Sequence, residues 1–162
     1  MAAKGNKKDL IMDVSLTFSE QQRQQLALHL FPKDGCEAVA LVLCGRASHG
    51  NRHRLIAQKI ELIPYDECKV RTPCQVTWST DRLIPLLAEA EKKKLSLVKI
   101  HGHMDLECFS AIDNKSDREL FPSIHCWIEH DLPHGSAILM KSGRCFGRVV
   151  DGLGHFTPFR SV

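Results

Sequence analysis

The run Ala38-Val-Ala-Leu-Val-Leu-Cys44 is the longest uncharged apolar stretch of the chain, and it constrains the fold more than any other segment. Seven residues fall far short of the roughly 20 that span a bilayer, so the run reads as a buried strand and a membrane-spanning segment is excluded. A buried strand needs a core around it. A chain of 162 residues can build one, since a single domain of this size buries roughly 70% of the surface that its unfolded chain exposes.

No internal repeat, low-complexity tract or Pro/Gly/Ser-rich linker divides the chain. Residues 1–8 read as a polar, lysine-rich tail and residues 9–162 as one domain. Residues 9–18 alternate weakly and suggest a first strand. Ser19 and Gln22 have capping-box spacing and open a helix through Leu30, with Leu26 and Leu30 on its buried face. Residues 37–45 and 55–63 read as neighbouring antiparallel strands on either side of a polar turn over 47–53. Residues 64–78, with two prolines and mixed polarity, read as an irregular surface excursion. Leu83, Leu86, Leu87 and Ala90 have helical period, and Pro85 is tolerable near the helix start. Further on, 97–103 alternates as a strand, 116–121 reads as a short helix and 124–129 alternates again. Strands over 137–141 and 144–150 meet in a hairpin at Ser142-Gly143. The fold class expected is α/β or α+β, with helices flanking one central mixed sheet of about seven strands.

Seven cysteines are an odd number with irregular spacing and no C-x-x-C pair, which suits reduced thiols in a cytoplasmic protein. No hydrophobic segment of signal-peptide length follows the basic N-terminus. The net charge of +3 is spread over short clusters with few interleaved aromatics, so nucleic acid is not an expected partner. Lys92–Lys94 read as the solvated end of a helix, where cations suit the helix dipole.

Chemistry concentrates in V-K-I-H-G-H-M-D-L-E-C-F-S-A-I-D-N-K-S-D-R-E-L, residues 98–120. His101 and His103 stand two apart at a strand end, so both imidazoles project from one face, as ligands of a single metal ion must. With nine histidines in the chain, about half of one such pair arises by chance, so the pair alone carries little. Asp113, just beyond a loop, can return a carboxylate to the same ion. Two imidazoles and a carboxylate leave zinc an open fourth position for water, and a base is then needed to handle the proton. Glu37 is the candidate, because at the start of the most apolar strand a carboxylate is costly without a partner.

Glu37, the apolar strand that follows it, His101-x-His103 and Ser110-x-x-Asp113 together resemble the JAMM signature of the JAB/MPN metallopeptidases. The resemblance covers about residues 35–127 and implies a JAB/MPN-like, cytidine-deaminase-like fold holding one zinc ion. By that resemblance His101, His103 and Asp113 would be zinc ligands, Glu37 the general base and Ser110 the hydroxyl that steadies the oxyanion. Met104 stands where the family has proline, and six residues rather than seven separate His103 from Ser110. The stretch 109–120 is most similar to bacterial JAB domains that accompany ubiquitin-activating-like and conjugating-like proteins, some in antiviral operons. The implied activity is a peptidase or isopeptidase acting after the C-terminus of a ubiquitin-like protein, on its precursor or its conjugates. A non-catalytic MPN-like scaffold is the alternative; a zinc deaminase lacks its H-x-E and P-C-x-x-C elements here. Asp117 reads as a helix-start cap in preference to a group that supports the metal ligands, and not as a ligand itself; Cys108 reads as a loop filler rather than a nucleophile, and His125, His130 and His134 as structural, with His125 on a strand.

Overall fold

The computed structural model describes residues 12–162. The first strand, β1, spans Asp13–Thr17; residues 9–11 of the expected segment lie outside the described residues. Helix α1 follows over Glu20–Leu30, and its capping box forms: the Ser19 hydroxyl accepts from the Gln22 N–H and the Gln22 side chain accepts from the Ser19 N–H. Strands β2 (Val39–His49) and β3 (Arg52–Leu62) pair antiparallel and run well past the expected turn, which shrinks to Gly50-Asn51, with Gly50 at φ 58°. Cross-strand pairing extends each strand through residues whose polarity alone suggests a loop.

The segment 64–78 is not irregular. A short 3₁₀ turn leads into an antiparallel hairpin of β4 (Cys68–Thr72) and β5 (Gln75–Trp78), whose turn absorbs Pro73. A 3₁₀ turn over Thr80–Arg82 enters α2 (Leu83–Lys93), which buries Leu83, Leu86, Leu87 and Ala90, and Lys94 ends it in the left-handed conformation. Strand β6 is Ser96–His103.

A correction follows at residues 111–127, which form one helix, α3 (Ala111–Trp127), in place of a short helix and a strand. Its buried positions are Asp113, Asp117, Phe121 and Ile124. These spacings of four, four and three define one helical face, but half of that face is carboxylate and shows no hydrophobic period. Strands β7 (Gly135–Met140) and β8 (Cys145–Val150) form the expected hairpin, and β9 (Phe156–Pro158) adds a strand that the sequence did not suggest.

Seven strands make one mixed sheet in the order β1-β3-β2-β6-β7-β8-β9, with β1/β3 and β6/β7 parallel and the other pairs antiparallel. Beyond β9 the chain crosses to β1, where the Leu16 N–H donates to the Ser161 carbonyl at 3.0 Å and the Arg160 N–H to that of Val14 at 2.8 Å. The β1 edge is thereby partly covered, which blunts it as a template for aggregation.

The apolar run explains the layering. Ala40, Val42 and Cys44 of β2 pack with Leu26 and Leu30 of α1 on one face, while Val39, Leu41 and Leu43 pack with α2 and α3 on the other. Burial on both faces requires apolar residues at every position rather than every second one. Two cores on opposite sides of one sheet make a mixed α+β domain of three layers. Among the described residues no helix is long and apolar enough to cross a membrane.

Candidate metal centre

Strand β6 shares its period-two alternation with the rest of the sheet: Val98 and Ile100 face α1, whereas Leu97 faces α2 and α3. Lys99, His101 and His103 therefore project toward α3. The glycine between the histidines has a steric reason. A Cβ on Gly102 would lie 2.8 Å from the Leu30 carbonyl and 3.1 Å from the Phe31 ring, because the end of α1 abuts the strand there.

The opposing carboxylate comes from the start of α3. Ser110 is the N-cap, its hydroxyl accepting from the Asp113 N–H at 3.1 Å while the Asp113 carboxylate accepts from the Ser110 N–H at 2.7 Å. This reciprocal pair fixes the Asp113 rotamer. The six-residue loop after His103 is long enough to bring Asp113 Oδ1 within 3.1 Å of His101 Nε2 and Oδ2 within 3.4 Å of His103 Nε2.

Glu37 lies just before β2 rather than within it. Its N–H donates to the Thr72 carbonyl of β4 at 2.8 Å, and its carbonyl accepts from Arg71 Nε at 3.0 Å. Arg71 is itself held by Asp34 at 2.9 Å and lies over the Tyr65 ring at 4.3 Å. The hairpin within 64–78 thus clamps the backbone that aims Glu37 Oε1 to within 3.5 Å of His103 Nε2.

Four side chains converge: Glu37, His101, His103 and Asp113, all buried. His103 Nδ1 lies 2.9 Å from the Leu106 carbonyl, which can only accept, so Nδ1 carries the hydrogen and Nε2 of the neutral ring is a bare lone pair. That lone pair faces His101 Nε2 at 3.0 Å and two carboxylates. Two imidazole nitrogens and two carboxylates brought together away from solvent suit a cation, whose charge offsets the cost of burying the carboxylates. Glu37, His101 and His103 can offer ligand atoms within 4.8 Å of one another, and His101, His103 and Asp113 form a tighter triad sharing the same imidazoles. The two imidazole nitrogens stand 3.0 Å apart, with Asp113 Oδ1 3.1 Å from one and its Oδ2 3.4 Å from the other, so nitrogen and carboxylate donors of the kinds that ligate a divalent cation face one another at close range. The residues fit the ion.

Electrostatics separate the two carboxylates. Burial pushes the Glu37 carboxyl up to about 7, a rise that His103 offsets in part. Burial works the same way on Asp113, but hydrogen bonds from His101 and His103 overcome it and hold its carboxyl well below the ordinary range. Burial lowers His101. It opposes protonation of His103 too, yet hydrogen bonds to Asp113 and the Leu106 carbonyl raise that imidazole on balance. Asp113 is therefore a permanent anion suited to hold a cation, whereas Glu37 can gain or release a proton near neutrality.

The other expectations resolve unevenly. Asp117 is no helix-start cap: it is fully buried in the middle of α3, paired with Lys99 at 2.5 Å and Arg148 at 2.7 Å. Cys108 is exposed, so it fills no space in the loop. Glu107, an exposed carboxylate in the same loop, is paired with Arg144 at 2.8 Å and takes no part in the cluster. His125 lies on α3, not on a strand. Sequence reasoning missed Lys99 and Arg148, although a lysine at the same strand period as His101 and His103 was a legible sign of a buried pair.

No protein-family model and no curated protein matches the chain. Among solved structures, the solution structure of protein DSY2949 from Desulfitobacterium hafniense is similar, with a TM-score of 0.57 and 13% identity over 92% of this chain and 91% of that one. At that identity the likeness shows the fold alone.

Proposed function

We propose that this chain is a zinc-dependent hydrolase of the JAB/MPN (JAMM) type that cleaves the amide bond after the C-terminus of a ubiquitin-like protein. The observation that carries the reading is the convergence of His101 Nε2 and His103 Nε2 on the ionised Asp113 within 3.4 Å, beside a second carboxylate, Glu37, whose carboxyl is pushed up to about 7. His101, His103 and Asp113 hold the ion. Zinc, when bound, supplies Lewis acidity toward the scissile carbonyl and acidifies its water. Glu37 accepts the proton released on attack and delivers it to the departing amine, a task that suits a carboxyl poised near 7. The Ser110 oxygen already accepts from the Asp113 N–H, so its own hydrogen remains to donate to the carbonyl oxygen as that atom gains charge.

A groove of about 610 Å³ lies between the β5 edge, α2 and α3. Val76, Trp78, Leu87, Ile112, Leu120 and Trp127 supply its apolar lining, and one end reaches the first turn of α3, at Ile112. Among the described residues β5 pairs only with β4, which leaves its other edge open to an extended peptide added as a strand. The modifier's C-terminal tail is the occupant that this reading assigns to the groove, with the precursor or the conjugates of a ubiquitin-like protein as substrate. Activating-like and conjugating-like proteins are the partners that go with it, in the bacterial antiviral setting where similar JAB domains occur.

The test is hydrolysis of a ubiquitin-like protein fused to a short peptide or linked to a lysine, with zinc measured on the same preparation. About one zinc per chain, with cleavage stopped by a chelator and unaffected by thiol alkylation, is expected. Metal content near zero that added zinc does not raise overturns the reading and favours a non-catalytic scaffold.

A further inference from the structure

Behind the metal centre lies a second set of buried charges. Lys99, Asp117 and Arg148 are each less than 10% exposed. Lys99 Nζ sits 2.5 Å from Asp117 Oδ1 and 3.3 Å from the Ser116 hydroxyl. Arg148 donates to Asp117 Oδ2 through Nη2 at 2.7 Å and Nε at 3.3 Å, and the Ser136 hydroxyl donates to the same oxygen at 2.6 Å. One aspartate on α3 is thereby tied to three adjacent strands, β6, β7 and β8. The Arg148 guanidinium also lies between the Phe109 and Phe156 rings, 3.6 Å from each centroid, and donates to Asn114 Oδ1 at 2.6 Å.

We propose that the Lys99–Asp117 ion pair is a register pin, positioning α3 along β6 so that Asp113 meets His101; this inference rests on the metal-site reading above. Two residues along a strand advance about 6.6 Å, and four residues along a helix advance about 6 Å. Lys99 and His101 are two apart on β6, while Asp117 and Asp113 are four apart on α3. The two elements run past each other in opposite senses, so the rows match rung for rung: Lys99 with Asp117 at 2.5 Å, His101 with Asp113 at 3.1 Å. The lower rung fixes the upper. A helix slipped by one residue shifts about 1.5 Å along its axis and turns about 100°, which removes Asp113 from both imidazoles.

Stability does not account for the pair. Buried ion pairs are commonly no more stabilising than apolar side chains of similar volume, and fixing register is the best attested reason for keeping one. Here the strands must also select one helical register among several, because the α3 face carries few apolar residues to define it. Lys99 and Asp117 touch no substrate; they are positioning residues that act through Asp113.

Lys99→Met keeps the apolar stem and removes the ammonium. Zinc affinity measured by chelator competition should weaken roughly 10- to 100-fold, the range for groups that orient metal ligands. The d–d absorption of the cobalt-substituted protein should shift, since the ligand geometry changes. Melting of the metal-free protein is recorded alongside. A lower melting temperature with zinc affinity and cobalt spectrum both as in the unaltered protein overturns the proposal, because it leaves the pair a structural role only. If Lys99→Met does not fold, Ser136→Ala trims a single hydroxyl from the same carboxylate, and zinc affinity should fall by roughly five-fold, the weight of one hydrogen bond. An unchanged affinity and spectrum in that variant overturn the proposal as well. Failure of the unaltered protein to bind zinc brings down the metal reading and this inference together, and is distinguishable from a zinc protein indifferent to Lys99.

Discussion

Two histidine clusters lie at opposite ends of α3 among the described residues, and one of them gathers carboxylates within reach of its imidazoles. At the N-terminal end His101 and His103 turn ring nitrogens toward each other and toward two carboxylates. Near the C-terminal end His125, His130 and His134 pack ring against ring, with centroids 4.9 and 5.6 Å apart. There every ring is committed to backbone: His125 Nε2 to the Val150 carbonyl at 2.9 Å, His130 Nε2 to that of Ala90 at 3.3 Å, and His134 Nδ1 as acceptor from the Leu97 N–H at 2.9 Å. That last bond leaves the proton on His134 Nε2, which is buried without a hydrogen-bond partner. Among the described residues no carboxylate pairs with these rings within ion-pair distance, and Glu91 reaches His130 only through space. Clustered imidazoles are thus not a metal site in themselves; what counts is whether their lone pairs remain free and whether an anion completes the set.

The contrast breaks most sharply on ligand removal. His103→Ala should abolish zinc binding and activity together, whereas His134→Asn, whose side-chain oxygen can take over as acceptor for Leu97, should keep about one zinc per chain. Elemental analysis of both variants decides it, and zinc loss from His134→Asn would erase the distinction. Next in size, Glu37→Gln should retain zinc while turnover falls roughly 10²- to 10⁴-fold, since shape survives and the proton acceptor does not. Full activity in that variant would remove Glu37 from the reaction.

The clusters also respond oppositely to acid. Burial depresses His134 to about 3, so the folded protein keeps it neutral where the unfolded chain, near 6.5, is already protonated. Its contribution is complete above about 6.5 and is lost as pH falls toward 3, at a cost on the order of 5 kcal/mol. Glu37 is raised instead, so its contribution to the metal-free protein is complete below about 4.5 and is lost as pH rises through about 7. Denaturant unfolding of the metal-free protein across this range should show His134→Asn flattening the acid limb and Glu37→Gln the limb toward neutrality. Curves parallel to those of the unaltered protein would contradict the assignment. The smallest expected change in stability is that of Ser110→Ala, which removes a helix cap worth about 1 kcal/mol with zinc retained. Its turnover, if the hydroxyl also serves the carbonyl oxygen, should drop by roughly 10²- to 10³-fold. Calorimetry and kinetics on that variant separate cap from catalyst.

Where local spacing carried the information, the sequence was readable. The Ser19-x-x-Gln22 cap, the apolar first half of β2 and the shared face of His101 and His103 follow from local patterns that need no tertiary context. Ser110-x-x-Asp113 was singled out for its resemblance to a metallopeptidase motif, while its identity as a capping box went unread, although the spacing matches that at Ser19. Legibility failed where long-range partners set the outcome. Helix α3 conceals its buried face because Asp113 and Asp117 occupy apolar positions, and they are tolerable only beside β6, β7 and β8. The β4–β5 hairpin was hidden by Pro64 and Pro73, which flank or turn the strands rather than interrupt them. Its role in clamping Glu37 depends on contacts to the Glu37 backbone that no local pattern announces.

The pairing of Val39 with His101 connects segments far apart along the chain, whereas His101, His103 and Asp113 lie within one short stretch. Closing a long loop is slow compared with local association. During synthesis and folding, the histidines and Asp113 can therefore find each other before Glu37 arrives with β2. A chain at that stage already has the means to capture an ion but lacks the group that handles protons. On the proposed reading, the ion-binding trio would assemble ahead of the proton-handling group, and cleavage would wait for the pairing of β2 with β6.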